Sequence, residues 1–101
     1  MLAQFSVIPM GKEEKVGEYV SQILKLVDER GLDYQLTAMS TLVEGEWDEV
    51  MQLIRDCHHL MKNFSERVLT TIIIDDFAGR TGRLKGKVED VERLLGQKLK
   101  T

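Results

Sequence analysis

Hydrophobic and polar residues alternate along Leu2–Met10 (LAQFSVIPM), with Phe5 and Val7 turned one way and Gln4, Ser6 and Ile8 the other. That pattern, rich in β-formers and closed by Pro9 and Gly11, predicts a first strand. Between Lys12 and Arg30 the period changes. Val16, Tyr19, Val20, Ile23, Leu24 and Val27 recur at the spacing of one helical face. Glu13 and Glu14 sit in the first turn and Arg30 in the last, matching the helix dipole, and Gly31 is a natural stop.

Two short strands follow, Asp33–Thr37 and Ser40–Glu44, joined at Ala38–Met39. A two-residue turn there pairs Thr37 with Ser40, Gln35 with Leu42 and Asp33 with Glu44. One face of the hairpin then carries Asp33, Gln35, Thr37, Ser40, Leu42 and Glu44. The other carries Tyr34, Leu36, Thr41 and Val43 and is expected to lie under the helices, with Tyr34 in the core. A second helix is predicted over Trp47–Phe64, its buried stripe made by Trp47, Val50, Met51, Ile54, Cys57, His58, Met61 and Phe64. Trp47 reads as a core residue or a staple at the helix start. Arg67–Phe77 (RVLTTIIIDDF) is the strongest strand signal, apolar on both faces and so expected to be covered on both. Ala78–Lys87 reads as a loop, with three glycines and basic residues at Arg80, Arg83, Lys85 and Lys87, and Val88–Lys98 as a short terminal helix.

The order β-α-β-β-α-β, with right-handed crossovers in the halves Leu2–Thr37 and Ser40–Phe77, predicts an α+β fold. It is a ferredoxin-like two-layer sandwich, with a four-stranded antiparallel sheet and two helices on one face, plus the short C-terminal helix. The 101 residues make a single domain, 1–101. The helix-free face would hold Leu2, Gln4, Ser6, Ile8, Gln35, Thr37, Ser40, Leu42 and Glu44. To these it adds one of the two alternating sets of the last strand. Such a face is too apolar to be simply solvated. A second copy stacking sheet on sheet, as dimer or tetramer, is the expected cover.

Composition narrows the function. A net charge of -3 argues against general nucleic-acid binding. No apolar run approaches the roughly 20 residues of a membrane span. The strand beginning directly after Met1 leaves no room for a signal peptide. One cysteine, Cys57, permits no internal disulfide and suits a reducing cytoplasm; without a basic neighbour it reads as inert. His58 and His59 splay about 100° apart on a helix and do not form a chelating pair, so no metal site is expected. His58 reads as a core or interface histidine. Asp75 and Asp76 face opposite ways at a strand end. The glycine and basic residues of Ala78–Lys87 fit neither common phosphate-loop spacing.

Taken together, SVIPMG (Ser6–Gly11), LTAMSTLVEG (Leu36–Gly45), DEV (Asp48–Val50), His58 within DCH, TTIIIDD (Thr70–Asp76) and GKVEDV (Gly86–Val91) are similar, in order and spacing, to the small thiamine-binding-protein family, single-domain relatives of YkoF-type proteins. Ala38 and Ile73 depart from that pattern, which often has proline and lysine there. The resemblance implies a ferredoxin-like oligomer that binds thiamine or its hydroxymethylpyrimidine part without a reaction and without a required cofactor. It places ligand contacts at Ser6, Thr37, Met39, Ser40, Thr41 and Glu44. A carboxylate would suit the thiazolium cation, hydroxyls the ring nitrogens and a methionine the ring face. By strand parity Thr41 faces the helices, so its contact requires a bend at the turn. Two rivals stand beside this reading: a structural or regulatory oligomer without ligand, and a small isomerase-like enzyme with His58 or Glu44 as base. The second lacks any polar group placed to orient the base.

Overall fold

The computed structural model describes residues 1–101. Strand β1 (Leu2–Pro9) passes through a short 3-10 turn into α1 (Val16–Glu29); β2 (Asp33–Leu36) and β3 (Thr41–Glu44) form the hairpin; α2 (Trp47–Lys62) leads to β4 (Val68–Asp75), and α3 (Arg83–Leu95) closes the chain. All pairings are antiparallel, in the order β2-β3-β1-β4. This is the ferredoxin-like arrangement, with β1 in the interior of the sheet. The expected hairpin register holds, Asp33 opposite Glu44 and Gln35 opposite Leu42.

The register settles which set of β4 faces outward. Ala3, Phe5 and Val7 stand opposite Ile74, Ile72 and Thr70, so the even residues of β4 face the helices. Leu69, Thr71, Ile73 and Asp75 therefore share the other face with Leu2, Gln4, Ser6 and Ile8. Coverage is confined to the helix-side set, where Val68 and Ile72 pack on the core and Ile74 at the strand end stays exposed, whereas Leu69 and Ile73 on the other face are 51% and 58% exposed. The core lies between β1 and the two helices, with Phe5, Val27, Val43, Leu53, Cys57 and Met61 at its centre.

Three further expectations are corrected, beside that of a last strand covered on both faces. Trp47 is 52% exposed: the opening turn of α2 is held by Glu49, whose carboxylate accepts the Glu46 N–H, and not by burial of the indole. Tyr34 is not core either. It lies on the edge strand β2, exposed along its length, and its hydroxyl donates to Asp28 at 2.8 Å. The third helix begins at Arg83, five residues before the expected start, and ends at Gly96, whose φ of +81° breaks it. Only Ala78–Gly82 remains loop. The early start has a long-range cause. Gly82 brings no capping side chain; Glu44, on the outer face of β3, accepts the N–H groups of Arg83 (2.9 Å) and Leu84 (2.8 Å). The first turn of α3 thus lies over one end of the sheet face expected to be bare, where Leu84 is its one buried residue. Further along, Val88, Glu89 and Glu92 of α3 line a shallow cleft with Gln35 of β2, and the radius of gyration of 14.9 Å exceeds the about 13 Å of a compact domain this long.

Leu53, absent from the expected stripe, is fully buried in α2. Leu53→Ala is expected to lower stability by about 3 kcal/mol, measured as a fall in the urea midpoint at unchanged slope.

Candidate functional site

β1 is eight residues long and β3 only four. Their ladder ends at Phe5 opposite Thr41, so the second half of β1 has no neighbour on that edge. The phase of the hydrogen bonds decides what this exposes. Met1 and Gly45 exchange bonds at one end (2.9 and 3.1 Å), and Met10 donates to the Arg67 carbonyl at the other (2.8 Å). Odd residues of β1 therefore bond toward β3 and even ones toward β4. Val7 is the next odd residue after the ladder stops. Its N–H and C=O turn into the gap and pair with no protein group. Its residue is 3% exposed, and unpaired backbone groups at such depth are uncommon.

The gap is the mouth of a cleft of about 220 Å³. Phe5, Val16, Val20, Ile23 and Leu24 make its apolar wall, and Ser6, Thr37, Met39, Ser40 and Thr41 stand around it. Five of the six residues expected to contact a ligand are thus brought together. Thr41 needs no bend at the turn. It faces the helices, as parity requires, and the cleft cuts through the sheet edge to reach it.

The hydroxyls differ in what they have left to offer. Thr37 Oγ1 accepts the N–H groups of Met39 (3.3 Å) and Ser40 (3.1 Å) and donates to the Ser40 carbonyl (2.8 Å). The Thr37 N–H donates to the same carbonyl at 2.8 Å. Thr37 therefore holds the turn in shape. Ser6 and Ser40, both half-buried, make no side-chain bond within the protein. Met39 at the tip is 89% exposed, free to lie across the mouth.

Glu44 is elsewhere. Three residues along β3 from Thr41, about 10 Å away, it lines a second cleft of about 210 Å³ with Met1, Leu2, Asp75, Phe77, Arg80, Arg83 and Lys87. Burial raises its pKa, but the backbone N–H groups of Leu84, Arg83 and Gly82, with the terminal ammonium, outweigh that and hold it below the usual carboxylate range. The charges of this cleft largely satisfy one another: Lys87 pairs with Asp75 (2.9 Å), Arg83 with Asp90 (3.0 Å), and Arg80 stacks on Phe77.

Other candidates lie outside both clefts. His58 Nδ1 meets Thr70 Oγ1 at 2.6 Å across the α2–β4 interface. Cys57 is buried, and burial pushes its thiol up to about 11. No three His, Cys, Asp or Glu side chains converge as metal ligands, and no helix is long and apolar enough to cross a membrane. Sequence reasoning missed Val7, because a backbone contribution has no residue-type signature; the unequal strand lengths were its one available sign.

Fold and cleft together define a ferredoxin-like domain with a ligand-sized notch in its sheet. The profile of the thiamine-binding protein family matches residues 3–92, and the chain belongs to that family. It is 38% identical over 96 residues to a UPF0045 protein of Mycobacterium tuberculosis, covering 94% of each. It is 34% identical over 100 residues to UPF0045 protein YqgV of Bacillus subtilis, covering 93% of this chain and 96% of that one. Among solved structures, MJ1052 of Methanocaldococcus jannaschii superposes with a TM-score of 0.82 at 27% identity over 89% of this chain and 93% of its own. A Thermotoga maritima protein given a provisional place in thiamine biosynthesis or salvage superposes at 0.74 with 23% identity, over 85% of this chain and 94% of that one. At that identity the likeness speaks to the fold alone.

Glu44→Gln, which weakens the double acceptance, is expected to cost about 1 kcal/mol and to speed amide exchange in the first turn of α3. Acid does the same to the native protein. A carboxylate whose folded pKa is lowered stabilises fully above its unfolded value, and that contribution is lost as pH falls through the folded one. Protection at Arg83 and Leu84 should therefore drop in wild type as the pH falls below the ordinary carboxylate range, and not in Glu44→Gln.

Proposed function

We propose that the protein binds, without transforming it, a small planar heterocycle in the notch beside Val7. Thiamine, held through its hydroxymethylpyrimidine part, matches that site best. The observation that carries this is the bare edge of β1. Val7 offers a donor and an acceptor side by side, and an aminopyrimidine edge presents an acceptor ring nitrogen beside an amino donor. Ser6 and Ser40 have hydroxyls to spare, Thr41 lines the depth of the cleft, Met39 can cover the ring, and Thr37 keeps the turn in place. A volume of about 220 Å³ is below the roughly 300–1,000 Å³ of drug-sized sites and suits one ring better than two. Family membership points to the same ligand class.

Electrostatics favours the pyrimidine over the thiazolium. No carboxylate lines this cleft, so nothing in it rewards the cation. Glu44 could reach such a ligand only from a second copy. The non-enzymatic reading is supported by the position of His58, which lines neither cleft. A cytoplasmic setting suits the buried thiol of Cys57. Leu69 and Ile73, exposed on the outer sheet face, suit stacking against a second copy.

Isothermal titration with thiamine and with hydroxymethylpyrimidine tests this. Both should bind, the pyrimidine alone within about tenfold of thiamine, since no charge-assisted bond is lost with the second ring. Ser40→Ala should weaken binding about fivefold and Trp47→Phe not at all. Silence from both ligands at millimolar concentration would overturn the proposal. Turnover that vanished in His58→Ala would replace it with an enzyme.

A further inference from the structure

Five methionines and one cysteine supply the sulfur atoms of the chain, and they differ sharply in access. Met61 and Cys57 are fully buried in the core. Burial also keeps the Cys57 thiol protonated, its pKa pushed up to about 11, and a buried thiol in that form is a poor target for an oxidant. Met1, Met10 and Met51 are half-buried. Met39 stands in solvent, 89% exposed, and it is also the one methionine that lines the notch beside Val7. Its backbone is tied down, the N–H donating to Thr37 Oγ1 at 3.3 Å. The most accessible sulfur of the protein is therefore held at the mouth of the cleft.

We propose that Met39 is a reversible oxidation site, through which hydrogen peroxide weakens binding in the notch. The effect on binding rests on the notch being the ligand site proposed above. In the oxidation a sulfur lone pair attacks one peroxide oxygen. An S–O bond forms, the O–O bond breaks, and the other oxygen leaves with both protons as water. Sulfur loses two electrons and the peroxide gains them. A soft, apolar thioether thus becomes a polar sulfoxide. The thioether lies on a ring face at little cost, whereas the sulfoxide must give up its hydration to do so. No charged side chain lines this cleft, so none rewards the new dipole there. A dithiol reductant reverses the step: it removes the oxygen as water and becomes a disulfide, as in methionine sulfoxide reductases. A ring seated under Met39 in turn hides part of the sulfur, so ligand and oxidant compete for one side chain.

Limited treatment of the full-length protein with hydrogen peroxide, followed by peptide mass mapping, tests the site without any ligand. Met39 should gain its oxygen first, ahead of half-buried Met1, Met10 and Met51 and of buried Met61. Another methionine oxidised first would overturn the proposal. Titration with thiamine, after the peroxide is removed, then reads the effect. Oxidation should weaken binding about fivefold, and a methionine sulfoxide reductase with dithiothreitol should restore it. The urea midpoint should not move, since Met39 packs on no core residue, so affinity is lost without loss of fold. Met39→Leu has no sulfur to oxidise at this position. Whatever its own affinity, peroxide should leave that affinity unchanged. A peroxide-treated Met39→Leu that weakens as wild type does would place the effect on another residue and overturn the proposal. So would oxidised wild type that binds as tightly as the reduced form. Failure of the untreated protein to bind at all would instead overturn the ligand reading, and this control of it as well.

Discussion

The hydrogen-bond phase of β1 governs the rest of this molecule. As an interior strand it is bonded on both edges, odd residues to β3 and even ones to β4, but its neighbours differ in length. Against β4 the ladder runs the full strand; against β3 it stops half-way. The short side exposes the Val7 backbone beneath a turn stiffened by Thr37. The long side passes the same phase on to β4, whose even residues turn their N–H and C=O groups toward the open rim. A notch and an open rim thus come from one ladder of unequal arms.

The second constraint is the double bond from Glu44 to the start of α3. A carboxylate on a sheet face would ordinarily be solvated. Here it supplies the cap that Gly82 lacks, and the lowered pKa of the group reflects that use. Placing α3 across that end of the sheet brings Lys87 to Asp75 and Arg83 to within reach of the same cleft. The charge-rich cleft is in this sense a by-product of docking the helix. Its ions answer one another, whereas the hydroxyls beside Val7 do not.

How much of this the sequence discloses follows from the range of each interaction. The alternation of β1, the helical stripe of α1 and the hairpin register are local patterns, and the structure keeps them. The start of α3 is not local. Its cap comes from Glu44, far up the chain, so a reading confined to neighbours begins the helix too late. Trp47 and Tyr34 mislead for a related reason. Large aromatics bury well on average, but whether a second layer reaches the opening turn of α2 or the edge strand β2 depends on the assembled sheet. The cleft-lining residues Ser6, Thr37, Met39, Ser40 and Thr41 are nameable from the resemblance. Val7 was not, since only the end of a ladder distinguishes its amide from any other.

The two sides of the sheet also pose different physical problems. Covering an outer face buries apolar side chains such as Leu69 and Ile73, a non-directional gain that tolerates many packings. Closing the rim of β4 satisfies backbone dipoles, and the alternation of donors and acceptors admits only a discrete set of registers. A face is therefore indifferent to small shifts, whereas a ladder is not, because a slip of one residue places every side chain on the wrong face.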